Sequence, residues 1–592
     1  MVGIVLKLNL TLPAMIIPLG LCFYCQQAQA QSVQSLPGAS VGNPQRLYFG
    51  MPSPEIPNFT QPRQPDFQYA KPEPEFSQPD LSRSSERQKI AIKKIQVLGI
   101  KSIEFEQVKK IISQFEERSS TLDELKKGVV DEISRLYEKK GYITTIVFIP
   151  PQKIENGFLT IQVEEGFIEE IEFEEGRYFK DRAVEPYLGA TCSGVLNIRD
   201  LQRSIRRINE NPDLQVQAIL RAGNEPGTMR VAIRPAEEHF FLHLTPYLDN
   251  QGRPTIGNNR LGFTITNNNT LGFGDASNAS FSWNRHSWGN MSSYEMPLGR
   301  HGTKAGLSYA YNHFKFNRST LGFSGSATLT TPSISQELLR TEKSTLTAEL
   351  GFGFKNAGLQ VEGFEINQDR IRTLTPALNY TSSDRWGRTL MRHELGIGLD
   401  LFNATLGSSD TTSRPGAGSQ FCRYTTYLVR AQRLPWQTYG IFKIMGQITR
   451  NPLVSLEQFQ IGGASTVRGY KQGLLLGDSG FATSAEWHIP LRVWPLPEQI
   501  KILKNQYNLR NNIELVAFAD NGGVFGNGPK VNVNPLSNHN TNSAFLGSVG
   551  AGLRVNLTRL IAARLDLGVP YIRLRGDKTA AWFHFGFESR IF

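Results

Sequence analysis

Two short segments hold the residues whose types and spacing could do chemistry. Ile461-Gly462-Gly463-Ala464-Ser465-Thr466-Val467-Arg468-Gly469-Tyr470 reads as a glycine-loosened loop carrying one arginine. About fifty residues later, Phe518-Ala519-Asp520-Asn521-Gly522 reads as a strand ending with one carboxylate. A guanidinium and a carboxylate can form an ion pair. Inside a barrel lumen such a pair costs on the order of 3–5 kcal/mol to break, because the survivor is left uncompensated. Plainer readings stand beside it. Arg468 could be an exposed loop arginine, and Asp520-Asn521-Gly522-Gly523 has the composition of a tight turn. A phosphate cradle at Gly462–Tyr470 fits poorly, since the segment lacks a Gly-Lys-Ser/Thr ending and a following helix. Strand phase adds a difficulty. If Phe518 keeps parity with Val516 and both face lipid, Asp520 points outward too, unless the strand end bulges.

The elements that must position this pair are strands. From His239 to Phe592 period-two stretches dominate. Leu346, Ala348, Leu350, Phe352 and Phe354 alternate with Thr347, Glu349, Gly351 and Gly353. Ala305, Leu307, Tyr309 and Tyr311 behave alike, as do Ala551, Leu553, Val555 and Leu557, and Phe583, Phe585 and Phe587. One apolar face and one polar or tiny face is what lipid outside and water inside require. A large soluble sandwich or propeller also alternates, but no blade-length repeat is visible and the loops are very unequal. At roughly 22 residues per strand and connection, residues 239–592 make a membrane β-barrel of about 16 antiparallel strands. One helix is allowed for, near Glu498–Leu503.

Upstream the pattern changes several times. Residues 1–30 read as a signal peptide: Lys7, an apolar stretch from Leu10 to Tyr24, then Ala28-Gln29-Ala30 for cleavage. Residues 31–90 are rich in Pro, Gln and Ser, an extended tether with a possible plug segment. Residues 91–166 read β-α-α-β-β, with Thr121 as the cap of the helix carrying Leu122, Leu125, Val129, Ile133 and Leu136. Residues 167–238 repeat that order, which makes a degenerate internal repeat of two small α+β domains.

Composition excludes several classes. Lys+Arg number 64 against 53 Asp+Glu, a net charge of +11, yet the basic residues are scattered and no nucleic-acid motif appears. Mean hydropathy is −0.31 and no segment beyond residue 30 offers the ~20 apolar residues of a membrane helix. Past residue 30 only Cys192 and Cys422 remain, with no Cys/His cluster, so neither a disulfide frame, a metal site nor a cofactor is expected. No Gly-x-Ser-x-Gly elbow suggests an enzyme.

The ordered set of motifs resembles the outer-membrane transporters of two-partner secretion, the FhaC/ShlB/HecB-like family of the BamA-like superfamily. In the first module, Tyr137, Lys140-Gly141-Tyr142, Pro150, Gln152, Asn156-Gly157 and Glu165-Gly166 are similar to the family's first POTRA domain. In the second, Ile208-Asn209, Pro212, Leu220 and Gly227-Thr228 are similar to its second. Asp249-Asn250, Gly257, Gly274-Asp275, Tyr294, Pro297 and Gly302 resemble the opening strands. Gln447, Phe459, Gly462-Gly463, Val467-Arg468-Gly469-Tyr470, Gly477-Asp478 and Glu486 resemble the most specific block, and Phe518-x-Asp520-x-Gly522 the strand motif.

The resemblance implies two periplasmic POTRA domains before the barrel. It implies that the Arg468 loop enters the lumen and pairs with Asp520, and the unfavourable phase then implies an irregular strand there. It implies export of a large, unfolded partner exoprotein (hemolysin- or adhesin-like) recognised by the POTRA domains. The other partners are outer-membrane lipids and, during biogenesis, the barrel-assembly machinery, with no nucleic acid. Phe592 resembles the family's C-terminal signal, although it is out of phase with Phe583, Phe585 and Phe587, and Arg590 stands where an apolar residue is expected. The alternative reading is an outer-membrane assembly and insertion factor of BamA type.

Overall fold

The computed structural model describes residues 68–69 and 89–589, apart from 155, 175, 189–193, 226, 300, 319–320, 492–499, 503–504, 508–511, 528–541, 557–560 and 575–578. The signal-peptide and C-terminal-signal readings, at residues 1–30 and Phe592, lie outside the described residues, as do Cys192 and nearly all of the tether.

The tether contributes one short strand, β1 (Gln68–Tyr69). The first α+β unit then runs β2 (Ile90–Ile92), β3 (Lys94–Leu98), α1 (Phe105–Ile112), β4 (Arg118–Ser120), α2 (Leu122–Leu125), a wider turn over Lys126–Val130, α3 (Asp131–Lys140), β5 (Ile146–Phe148) and β6 (Phe158–Glu164). Thr121 starts α2 with a reciprocal capping box: its hydroxyl accepts from Glu124 N–H, and Glu124 accepts from Thr121 N–H. Gly141 ends α3 at φ +98°, a left-handed cap that a side chain would strain. Val108, Ile112, Val129, Ile133 and Tyr137 bury one helical face on Leu159 and Ile161 of the sheet β3-β6-β5.

The second unit repeats the scheme with β7 (Phe167–Phe173), α4 (Glu185–Leu188), α5 (Ile198–Ile208), β8 (Leu214–Ala222) and β9 (Thr228–Glu238). Its sheet order is β1-β8-β9-β7, and β1 lies parallel to β8 at Ile219 and Leu220. Leu201, Ile205 and Ile208 of α5 pack on Val216, Ala218 and Val231.

Sixteen antiparallel strands then close a barrel. They are β10 (Leu242–Asp249), β11 (Arg260–Asn267), β12 (Ala276–Trp283), β13 (Ser287–Pro297), β14 (Thr303–Arg318), β15 (Leu321–Arg340), β16 (Ser344–Val361), β17 (Phe364–Asp384), β18 (Gly387–Gly398), β19 (Cys422–Arg433) and β20 (Tyr439–Thr449). The short pairs β21 (Phe459–Ile461) with β22 (Leu475–Gly477), and β24 (Ile500–Ile502) with β25 (Asn505–Tyr507), stand outside the wall, which continues with β23 (Ser479–Pro490), β26 (Ile513–Phe525), β27 (Ser543–Asn556), β28 (Ile561–Pro570) and β29 (Trp582–Ser589). The helix expected near Glu498–Leu503 is not formed over Ile500–Ile502, which pairs in a small hairpin instead. Ile500 and Ile502 flank Lys501, a period of two that favours a strand.

Alternation works as the two solvents demand. Leu307, Leu350, Phe583 and Phe587 are exposed on the outer face, while Glu349, Arg554 and His584 are buried on the inner one. Eight-residue β10 closes on eight-residue β29 through only three paired positions. The Asn250 side chain extends this seam, donating to Phe583 O and accepting from Phe585 N–H.

The second unit is fastened to the near rim of the barrel. Arg207 and Arg340 both pair with Glu337 at 2.5 Å. Tyr187 Oη donates to Gly274 O, and Asn211 Nδ2 to Asn268 O. The far half of the lumen is filled: Phe421, Leu453, Val454 and Leu456 from the far-side loops pack on inward Met291, Leu329 and Ile371.

Candidate functional site: the hairpin inside the lumen

The connection from β20 to β23 does not stay outside. β21 and β22 form a two-stranded stem, and residues 462–474 form its tip, buried against the barrel wall. Glycine makes that approach possible at two places. Gly469, at φ +88°, lies so close to β28 that a Cβ on it would meet the backbone of Gly568 at 2.9 Å. A Cβ on Gly522 would meet Val467 at 3.0 Å, so Gly522 makes the seat for Val467.

The tip delivers Arg468, 2 % exposed, onto Asp520, which is fully buried. Arg468 Nε lies 2.7 Å from Asp520 Oδ2 and Nη2 2.7 Å from Oδ1, a bidentate fork. The Arg468 backbone N–H donates to the same carboxylate at 3.0 Å. Nη2 also donates to Ser484, and Nη1 lies 3.1 Å from Glu486. The guanidinium carbon sits 3.5 Å from the ring centroid of Phe518, a cation–π contact in a site closed to water. The Tyr470 hydroxyl reaches Gly547 O at 2.9 Å and accepts from Gly547 N–H.

The strand needs no irregularity to achieve this. β26 pairs in unbroken register with β23 and β27 over its whole length. Val516, Phe518 and Asp520 do share one face, as the phase requires, but that face is the lumen. Leu515 carries the lipid side, 38 % exposed. The sequence expectation took Phe518 for a lipid-facing aromatic, and the phenyl ring instead forms the floor beneath a guanidinium. The expected bulge is therefore a correction.

Around this pair lies a wider charged wall. Asp566 holds Arg554 at 2.8 Å and Arg564 at 2.7 Å. Glu486 also holds Lys443 and His488, each at 3.0 Å, and His488 reaches on to Glu514, which accepts from the Tyr439 hydroxyl at 2.6 Å. The base of the hairpin is anchored with opposite polarity. Glu457 enters a basic wall, 2.5 Å from Lys355 and 3.1 Å from Arg423. Asp478, beside the stem, holds Arg414 of the loop after β18 and accepts from the Leu453 and Asn527 N–H groups. Gln447 ties both ends, donating to Glu457 O and Asp478 O.

Sequence reading singled out Gln447, Asp478 and Glu486 within a resembling block without giving them tasks. It missed Lys355, Arg414, Arg423, Glu457, His488 and Asp566. No short spacing links them, since Lys355 and Glu457 stand on separate elements 102 positions apart. Among the described residues no group of three His, Cys, Asp or Glu side chains could hold a metal ion. Cys422 is an exposed free thiol. The arrangement binds a hairpin inside the lumen through ion pairs at its tip and its base.

Comparison with known proteins accords with this architecture. The haemolysin secretion/activation protein family ShlB/FhaC/HecB matches residues 227–554, over half of the chain. The chain belongs to this family. A POTRA domain of ShlB type matches residues 90–166. The outer membrane transporter CdiB of Dickeya dadantii (strain 3937) is 22% identical over 423 residues, 69% of this chain and 71% of that protein. The heme/hemopexin transporter protein HuxB of Haemophilus influenzae (strain 86-028NP) is 25% identical over 503 residues, 83% of this chain and 86% of that protein. The structure of CdiB from Escherichia coli superposes with a TM-score of 0.69 at 19% identity, covering 98% of this chain and all of that one. The protein is thus an outer-membrane β-barrel transporter of two-partner secretion, not an enzyme. Its α+β sheets are POTRA-like and periplasmic, so the near rim of the barrel faces the periplasm and the far rim the cell exterior.

Proposed function

We propose that the barrel exports one large partner exoprotein, unfolded, and that the lumen hairpin is the part that must yield to it. The observation that carries this reading is the position of residues 462–474. They stand inside the lumen, held by ion pairs and small apolar contacts rather than by the continuous ladder of the wall. An extended chain needs a continuous path, and the far half of the lumen is occupied by loops. The POTRA-like sheets offer strand edges and grooves for an extended N-terminal region of the cargo, by strand addition or side-chain pockets. Folding of the cargo outside the cell gives the movement its direction; export of a cargo that cannot fold would remove that part of the reading. We assign residues 1–30 to a cleaved export signal and Arg468 with Asp520 to the seat of the hairpin.

The test compares culture supernatants and outer membranes of deletion and wild-type cells. Loss of one very large secreted or surface protein is the expected result and identifies the cargo. Broad loss of many outer-membrane barrels would replace this reading with a barrel-assembly factor.

A further inference from the structure

Among the described residues two buried guanidinium groups, Arg253 and Arg372, face no carboxylate, and Arg253 is the one that holds the lumen hairpin. Arg253 lies in the extracellular connection between β10 and β11 and is 4 % exposed. Its Nη2 donates to Gly473 O of the lumen hairpin at 3.1 Å, and its Nε has no partner. Among the described residues no carboxylate pairs with it. The other guanidinium groups near the hairpin are differently placed: buried Arg468 has Asp520, buried Arg554 has Asp566 and half-buried Arg423 has Glu457, while Arg372 gives its N–H groups to Lys355 O, Asn356 and Ile371 O. The neighbouring Arg260 spends its charge on Asp249, at 2.8 Å. A cation removed from water without a counter-ion is strongly disfavoured.

Arg253 lines a small cavity inside the extracellular mouth of the barrel. Its wall mixes polar groups, among them Gln251, Arg260, Ser282 and Asn312, with the apolar Ile256 and Trp283. The cavity measures about 20 Å³, room for one or two water-sized occupants. Ile256, three residues on, packs among Phe314, Phe316, Phe323 and Leu359, so the connection is pinned and Arg253 cannot simply swing out to solvent.

We infer that Arg253 and this cavity form a binding site for a small monatomic anion of the halide class. The Arg253 guanidinium donates to it, and the anion supplies the missing negative charge. Because Arg253 also holds Gly473 O, an occupied site fastens the lumen hairpin to the first extracellular connection. This reading concerns the resting hairpin and stands whether or not the cargo assignment does.

The test uses the full-length protein in detergent with bromide as the probe. Crystals grown with sodium bromide should give an anomalous peak within hydrogen-bond distance of the Arg253 guanidinium. At equal ionic strength, Tm should rise by roughly 1–2 °C on replacing gluconate with bromide or chloride. Arg253→Gln should abolish that difference. Water density with no anomalous peak at Arg253, while bromide is seen elsewhere, overturns the site. A peak without an Arg253-dependent Tm difference marks an adventitious ion only and overturns the fastening role. If Arg253→Gln fails to fold, the anomalous experiment on the unaltered protein decides.

Discussion

The two ends of the lumen hairpin are held by the same chemistry with its signs exchanged. At the tip the loop supplies the cation, Arg468, and the wall the anions, Asp520 and Glu486. At the base the loop supplies the anion, Glu457, and the wall the cations, Lys355 and Arg423. A hairpin so charged has one favourable register in the lumen. Sliding or inverting it sets like charges together in a poorly screened interior, where such contacts cost most. The ends differ in geometry rather than in redundancy. Arg468 keeps Glu486 at 3.1 Å and Arg423 keeps Glu394 at 3.6 Å as second carboxylates, but only Asp520 makes a bidentate fork and takes a backbone N–H as well. The tip is therefore the stiffer clamp.

This difference can be broken from either side. The largest effect is expected from Asp520→Ala, which leaves Arg468 under-compensated and frees its backbone N–H. Loss of about 3–5 kcal/mol should appear as faster amide exchange in residues 462–474. Glu457→Gln should cost less, on the order of 2–3 kcal/mol, with exchange rising first in residues 450–459. The two changes share no partner, so their effects should add within about 0.5 kcal/mol; strong coupling would mean that the hairpin is one rigid clamp. Phe518→Leu keeps an apolar floor but removes the ring face, and should loosen the tip by about 1–2 kcal/mol, without altering the base.

A smaller, pH-dependent effect belongs to the periplasmic part. Burial pushes the Glu165 carboxyl up, but hydrogen bonds from Ser102, Lys101 N–H and Tyr137 outweigh it and hold the group below the ordinary glutamate range. A lowered folded value contributes stability that is complete above the unfolded pKa and lost as pH falls through the folded one. Exchange in α1 and α3 of the intact protein should rise as pH falls below about 4. Glu165→Gln should flatten that dependence, at a cost on the order of 1–2 kcal/mol at neutral pH.

The same comparison explains what could be read from the chain alone. The tip was legible because Arg468, Gly469 and Tyr470 adjoin, and Phe518, Asp520 and Gly522 keep strand spacing. Period-two alternation exposed the barrel, since lipid and lumen impose opposite demands on neighbouring residues. The base was not legible. Its charges come from β16, β19 and a loop, and only barrel closure brings them together. The face of Phe518 was misread for a related reason: an aromatic among alternating residues usually meets lipid, and the cation that draws this one inward lies fifty positions away. Arg253 gave no signal at all, because its neighbours become neighbours only in the folded mouth.

Arg468 as the seat of a hairpin that yields to cargo is the central proposal. Its most direct test is Arg468→Ala, scored for barrel abundance in the outer membrane and for cargo in the supernatant of the same cells. A large fall in secreted cargo at near-normal barrel abundance is the predicted result. Undiminished secretion at normal abundance would contradict it and reduce the Arg468–Asp520 pair to a feature of folding.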